Sequence, residues 1–162
     1  MNRSNSSNRK KARVLNRMTL RFPSLSENER FARLAVSGFI SSLDPAVDEL
    51  SEIKTAVSEA VTNCIVHAYR DRIGEIRMEV RLLEDSRLYI CIKDSGCGIT
   101  DIDKAREPLF TTAPDEERAG LGFAIMESFT DKLRVTSRPQ RGTTVTMLRT
   151  LRTRRPTDDS GS

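Results

Sequence analysis

The sequence predicts a two-layer α+β sandwich: a mixed, mostly antiparallel sheet with helices on one face. Three observations predict it. Between Glu52 and Tyr69, apolar residues stand at Ile53, Ala56, Val57, Ala60, Val61, Cys64, Ile65 and Ala68, the i, i+3, i+4, i+7 ladder of an amphipathic helix. Glu75 to Leu83 alternates instead, with Ile76, Met78, Val80 and Leu82 on one side, and Leu88, Ile90 and Ile92 repeat the pattern, which is the period of half-buried strands. Helical patterning comes first and most strands follow it, an order that favours segregated layers.

Taken in order, Met18, Leu20 and Phe22 alternate and predict a short first strand that Pro23 ends. Ser26 with Glu29 reads as a capping box, and Phe31, Leu34, Ala35 and Phe39 carry a helix to about Leu43. Asp44-Pro45 reads as an N-cap followed by a proline at the first helical position, so the long helix is expected to start there and end near Tyr69. The tight connection Glu84-Asp85-Ser86 predicts an antiparallel hairpin, whose second strand delivers Asp94 to a loop. A short helix is expected after Asp101. Thr111 to Ala119 is polar, contains Pro114 and reads as a flexible lid. Gly122 to Thr130, carrying Phe123, Met126 and Phe129, predicts another short helix. Leu133 to Ser137 and Thr143 to Leu148 predict a closing hairpin with Gly142 in its turn.

A length of 162 residues with 37% apolar composition suits one domain with a core of its own. We place that domain at 18–150, between a disordered basic tail (1–17) and a disordered polar tail (151–162). The net charge is +4, but residues 1–17 hold Arg3, Arg9, Lys10, Lys11, Arg13 and Arg17 and no acid, so removing these six leaves −2. Basic character is thus assigned to the tail, and the domain is expected to bind no nucleic acid directly. No apolar run is long enough to cross a membrane, and no apolar segment follows the basic N-terminus as a secretory signal requires. Three cysteines at loose spacing and one histidine argue against a zinc site and point to a reducing cytoplasm. Cys64 and Cys91 read as small core residues.

Several polar residues fall where chemistry could use them. Glu59 and Asn63 are four apart on the long helix, so they share a face at the edge of its apolar stripe. Two hard oxygens there suit a magnesium ion, or simply water. Asp94 precedes Ser95-Gly96-Cys97-Gly98, where glycines allow close backbone approach, although an Asp before Ser-Gly also caps ordinary turns. Gly120 and Gly122 flank Leu121 before a helix, a setting that suits phosphate or merely starts the helix. Neither a Walker-type phosphate loop nor the His-Arg-Asp signature of eukaryotic kinases is present.

The four elements in this order, Glu59-x-x-x-Asn63, Asp94-x-Gly96-x-Gly98, Gly120-x-Gly122 and Gly142-Thr143-Thr144, resemble the ATP-binding module of gyrase, the Hsp90 chaperones, histidine kinases and MutL. Ser26 to Leu43, Glu107-Pro-Leu-Phe-Thr-Thr112 and Arg118-Ala-Gly-Leu-Gly-Phe123 resemble one branch of it, the anti-sigma serine kinases of spore-forming bacteria. The likeness covers about Met18 to Arg149. It implies an ATP-dependent protein serine kinase that binds and silences a sporulation sigma factor of the sigma-F type and phosphorylates an anti-anti-sigma protein. It further implies a homodimer that grips sigma through the opening helix, with Arg33 at the contact. By the same likeness Asp94 accepts from the adenine amine, where guanine would present an oxygen, and Thr143 supports the base. Gly96, Gly98, Thr112, Gly120 and Gly122 line the nucleotide, Asn63 gives an oxygen to Mg²⁺, and Glu59 is the general base. Arg118 meets the γ-phosphate or the incoming partner. Ala113 departs from the pattern, since relatives often carry lysine there. Four other readings stay open: a stress-response kinase of the sigma-B type, a non-catalytic ATP-dependent module, a histidine kinase domain, and a gyrase- or MutL-type ATPase. The third would need a phosphoacceptor histidine on an upstream helix, and the fourth a transducer domain after the sheet; neither is expected here.

Overall fold

The computed structural model describes residues 12–107 and 121–152. One five-stranded sheet is built from β1 (Val14–Pro23), β2 (Glu75–Leu83), β3 (Arg87–Lys93), β4 (Lys132–Arg138) and β5 (Gly142–Thr150), in the order β1-β2-β3-β5-β4. Every neighbouring pair is antiparallel, so among the described residues the sheet is not mixed as expected. The reason is connectivity. A single crossover helix returns the next strand parallel, but α1 (Glu27–Ile40) and α2 (Val47–Asn63) both intervene between β1 and β2, and the second helix reverses the direction once more.

Both helices and α4 (Gly122–Ser128) cover one face. There Ile53, Val57 and Val61 of α2, Ala32, Val36 and Ile40 of α1, and Met126 of α4 are buried with Ile76, Met78, Val80, Leu88, Ile92 and Met147 of the sheet. Each fully buried side chain of this size stabilises the fold by about 1.5–3 kcal/mol, which makes this inner layer the source of cohesion. The remaining helix, α3 (Ile102–Arg106), is a short surface piece whose start Asp101 caps by accepting from the Lys104 N–H at 3.0 Å.

The structure corrects four boundaries. β1 begins at Val14, so Val14 to Arg17, expected in the disordered tail, pair with Arg81 to Leu83. A bulge between Val14 and Asn16 breaks the alternation that would have revealed it. Leu151 and Arg152, also expected in a tail, pack against the domain: Leu151 is buried and donates to the Ser86 carbonyl at 2.8 Å, and Arg152 pairs with Asp48 at 3.0 Å. The capping box does not form. Ser26 has helical backbone angles and makes no side-chain cap, while the Glu29 carboxylate is taken by the Ser58 hydroxyl of α2 and by Arg33. Nor is Asp44 an N-cap. Its backbone is left-handed (φ 47°), ending a 3₁₀ turn, and α2 starts at Val47 behind Ala46. Asp tolerates that conformation, and the following proline excludes the right-handed helical one. The helical path does reach Tyr69, through a widened π turn at Cys64–Ala68 closed by the Tyr69 N–H on the Cys64 carbonyl at 3.2 Å.

Candidate functional site

At the end of β3 the chain leaves the sheet with Asp94 only 4% exposed. Its Oδ1 accepts from the Gly96 N–H at 2.9 Å and the Thr143 N–H at 3.2 Å, and Oδ2 faces the Cys64 thiol at 3.6 Å. Burial raises the Asp94 pKa above its ordinary value, although both backbone donors pull it down. The Cys64 thiol is pushed well above the usual thiol range by burial and then by the Asp94 charge, so it stays protonated and acts as a donor. Thr143 is buried, its hydroxyl 2.8 Å from that of Ser137, which also accepts from the Ile99 N–H at 2.7 Å. Gly142 permits this closeness: a Cβ there would stand 2.2 Å from the Asp94 carbonyl oxygen, and its φ is 92°. Gly98 similarly has φ 71° and passes the Arg138 carbonyl where a Cβ would come within 2.1 Å. Tyr69 holds the loop from below, its hydroxyl accepting from the Ser95 N–H and donating to the Glu75 carbonyl, both at 2.7 Å.

A second cluster lies where α2 meets α4. A Cβ placed on Gly122 would stand 3.2 Å from Glu59 Oε2 and 3.4 Å from Asn63 Oδ1. The Glu59 carboxylate and the Asn63 carboxamide, whose Nδ2 would stand 3.5 Å away, therefore line the space beside Gly122 together, and a side chain there would crowd them. This donor set fits a hard cation, since a carboxylate and a carboxamide oxygen are what magnesium takes. Asn63 is followed by Cys64, whose thiol meets Asp94, so the two clusters are joined through a single turn. Gly122 is the first residue of α4, where the short helix is expected to begin, and the helix ends at Ser128, two residues before the expected Thr130.

The structure thus brings together Glu59, Asn63 and Gly122, and beside them Asp94, Gly96, Gly98 and Thr143. Thr112, Arg118 and Gly120, with Ala113 and the expected lid, lie outside the described residues. Arg33 stands apart on α1, its Nε 2.9 Å from Glu29 Oε1 as an ion pair without hydrogen-bond geometry. Ser137 and Tyr69 are additions that sequence reasoning misses. No sequence signal marks either, because both act through partners distant along the chain. Sequence reasoning also gives Cys64 a core role alone, and its position one residue after Asn63 is the available clue.

The sequence profile of the histidine kinase-like ATPase domain matches residues 22–149. The chain belongs to the histidine kinase-like ATPase family. Within it, the chain is 52% identical to the anti-sigma F factor of Bacillus subtilis strain 168 over 137 residues, 84% of this chain and 93% of that one. It is 49% identical to the anti-sigma F factor of Pasteuria penetrans, covering 86% and 94% of the two chains. At such identity across nearly the whole of both chains, it sits with the anti-sigma F factors. A solved Mycobacterium tuberculosis structure of RsbU and RsbW domains shares the fold, with TM-score 0.62 at 18% identity over 84% of this chain and 32% of that one. No described helix is long and apolar enough to cross a membrane.

Proposed function

We propose that this protein is an anti-sigma factor and ATP-dependent serine kinase. It binds and inhibits a sporulation sigma factor of the sigma-F type and phosphorylates its anti-anti-sigma antagonist. One observation carries the reading: the Glu59 carboxylate and the Asn63 carboxamide line the space beside Gly122, next to a buried acceptor, Asp94, in a chain about half identical to anti-sigma F factors.

In this reading Asp94 Oδ2 accepts from the exocyclic amine of adenine. Oδ1 is already engaged by two backbone donors, which fixes the direction in which Oδ2 points. Thr143 and Ser137 form the floor of the base site. Asn63 Oδ1 holds Mg²⁺, which offsets charge on the phosphates. Glu59 accepts the proton of the substrate serine hydroxyl as its oxygen bonds to the γ-phosphorus. The bond from that phosphorus to the bridging oxygen breaks, and ADP leaves with the electron pair. Arg33 contacts sigma from α1, away from the nucleotide. The protein works as a homodimer in the cytoplasm.

Glu59→Gln tests this reading, because it keeps the shape and removes the base. Phosphoserine formed on the anti-anti-sigma substrate from radiolabelled ATP should fall by roughly 10²–10⁴, with ADP affinity unchanged. A wild-type yield from this variant shows that the carboxylate is not the base. No transfer by the wild-type chain itself, with ADP still bound, favours the non-catalytic module.

A further inference from the structure

The helices cover one face of the sheet, and the other face carries the outward residues of all five strands. Strand register arranges these residues in three rows. The first runs Arg17, Arg81, Tyr89, Leu148, Lys132, and the second Thr19, Glu79, Cys91, Thr146, Arg134. Arg21, Arg77, Lys93, Thr144 and Thr136 make the third. Seven cations thus meet one carboxylate, an excess of six positive charges on one face. Glu79 is shared by three of them, with Arg17 at 3.7 Å, Arg77 at 3.3 Å and Arg81 also paired, so it cannot neutralise the face. The rim changes nothing: Arg87 is paired with Asp85 at 2.5 Å, and Glu75, 3.5 Å from Arg21, balances Arg138. Arg17, Arg21, Arg77, Lys93, Lys132 and Arg134 are exposed.

We propose that this open sheet face is a docking surface for double-stranded nucleic acid, held by its backbone phosphates without sequence preference. Charge complementarity is the first argument. Four interstrand steps of about 4.8 Å spread the cations over about 19 Å, a field that favours an extended polyanion over a single small anion. Residue type is the second. Five of the seven cations are arginine, whose fork binds phosphate oxygens in pairs, and hydroxyls of Thr19, Thr136, Thr144 and Thr146 interleave as neutral phosphate donors. What the face lacks is the third. Its apolar members are Cys91 and Leu148 and its one aromatic residue is Tyr89, so among the described residues it lacks the cluster of aromatic anchors that drives protein interfaces. The aromatic ring of Tyr89 is covered by the Arg81 guanidinium at 5.0 Å, which removes the stacking platform a single strand would use. The expectation that the domain binds no nucleic acid rested on a charge of −2 summed over the whole chain after residue 17. The sum hides a segregation of charge by face.

The test is fluorescence anisotropy of the full-length protein with a short labelled DNA duplex of arbitrary sequence, across a salt series. Two full-length variants accompany the wild type. In one, Arg17, Arg21, Lys132 and Arg134 are changed to Glu; in the other, Arg3, Arg9, Lys10 and Lys11 are changed to Ser. The wild type should bind at low salt with a log–log salt slope of about −5, as expected when most of these cations release counterions. The face variant should bind at least about tenfold more weakly with a visibly shallower slope, while its ADP affinity stays at the wild-type value and certifies the fold. The tail variant should retain most of the binding. Loss of binding in the tail variant with retention in the face variant overturns the proposal, as does no duplex binding by the wild type at low salt. Capture by phosphatidylserine vesicles in the absence of duplex binding overturns it in favour of a membrane surface.

Discussion

Asp94→Asn separates recognition of the base from the integrity of the fold. The Gly96 and Thr143 N–H groups, 2.9 and 3.2 Å from Oδ1, require an oxygen at that position, so the new amide nitrogen must fall where Oδ2 stands. In the proposed complex it then points an N–H at the adenine amine. The complex loses a hydrogen bond to a charged acceptor, about 1.5–3 kcal/mol, and leaves a buried donor unpaired, about 1–3 kcal/mol. Together these weaken ADP by about 2.5–6 kcal/mol, roughly a hundred- to a ten-thousandfold in Kd. Stability should move differently. Burial raises the folded-state pKa of Asp94, so the folded chain holds that proton more tightly than the unfolded chain does. Above the raised pKa the ionised carboxylate subtracts from stability, and below the unfolded value of 3.8 both states are protonated and the deficit is gone. The substituted carboxamide carries no charge, so the melting temperature of the variant at neutral pH should hold or rise. Calorimetric titration with ADP and a thermal melt on the same samples measure both. In addition, wild-type ADP affinity should decline as pH falls toward the raised pKa, while Asp94→Asn should be flat across the same range. Unchanged affinity, or affinity lost only in step with melting temperature, would refute the assignment of Asp94 to the base.

Arg33→Glu places a carboxylate beside Glu29 and should abolish capture of the sigma factor in a pull-down, with ADP binding intact; capture at wild-type strength would make Arg33 a bystander. Gly142→Ala drives a Cβ to 2.2 Å from the Asp94 carbonyl at φ 92°, and should lower unfolding free energy by about 2–4 kcal/mol in urea while weakening ADP, because the same backbone carries Asp94. Arg149→Met removes the guanidinium that stands 3.6 Å from the fully buried Glu49 and 2.6 Å from Glu52. It should cost about 3 kcal/mol, since one partner of a buried pair is left behind, and adding Glu49→Gln should recover part of that loss.

Local spacing made the site's scaffold legible. Glu59 and Asn63 share a face because any helix places i and i+4 together, whatever surrounds it. The β2–β3 hairpin follows from alternation on either side of Glu84-Asp85-Ser86 in the same way. The capping box shows where local reasoning stops. Ser26 and Glu29 have the right spacing, but the Glu29 carboxylate is claimed by Ser58 from another helix, and a rule confined to four residues cannot weigh a competitor 29 positions away.

The residues' order along the chain determined which side chains each element presents: a carboxylate and a carboxamide on one helical face, an aspartate at a strand end, glycines where backbones must pass closely. Tertiary structure alone decided which of these meet. Asp94 has one donor nearby in Gly96, but acquires its second from Thr143, 49 positions on, and its thiol neighbour from Cys64, 30 positions back. Val14 to Arg17 become strand only because β2 offers them partners. The basic face exists only in the assembled sheet. Four of the five strands contribute one or two cations each at alternate positions, β5 none, and antiparallel register stacks them side by side. Periodicity is set by a residue's immediate neighbours along the backbone, whereas register and charge segregation are set by pairing between segments far apart in the chain.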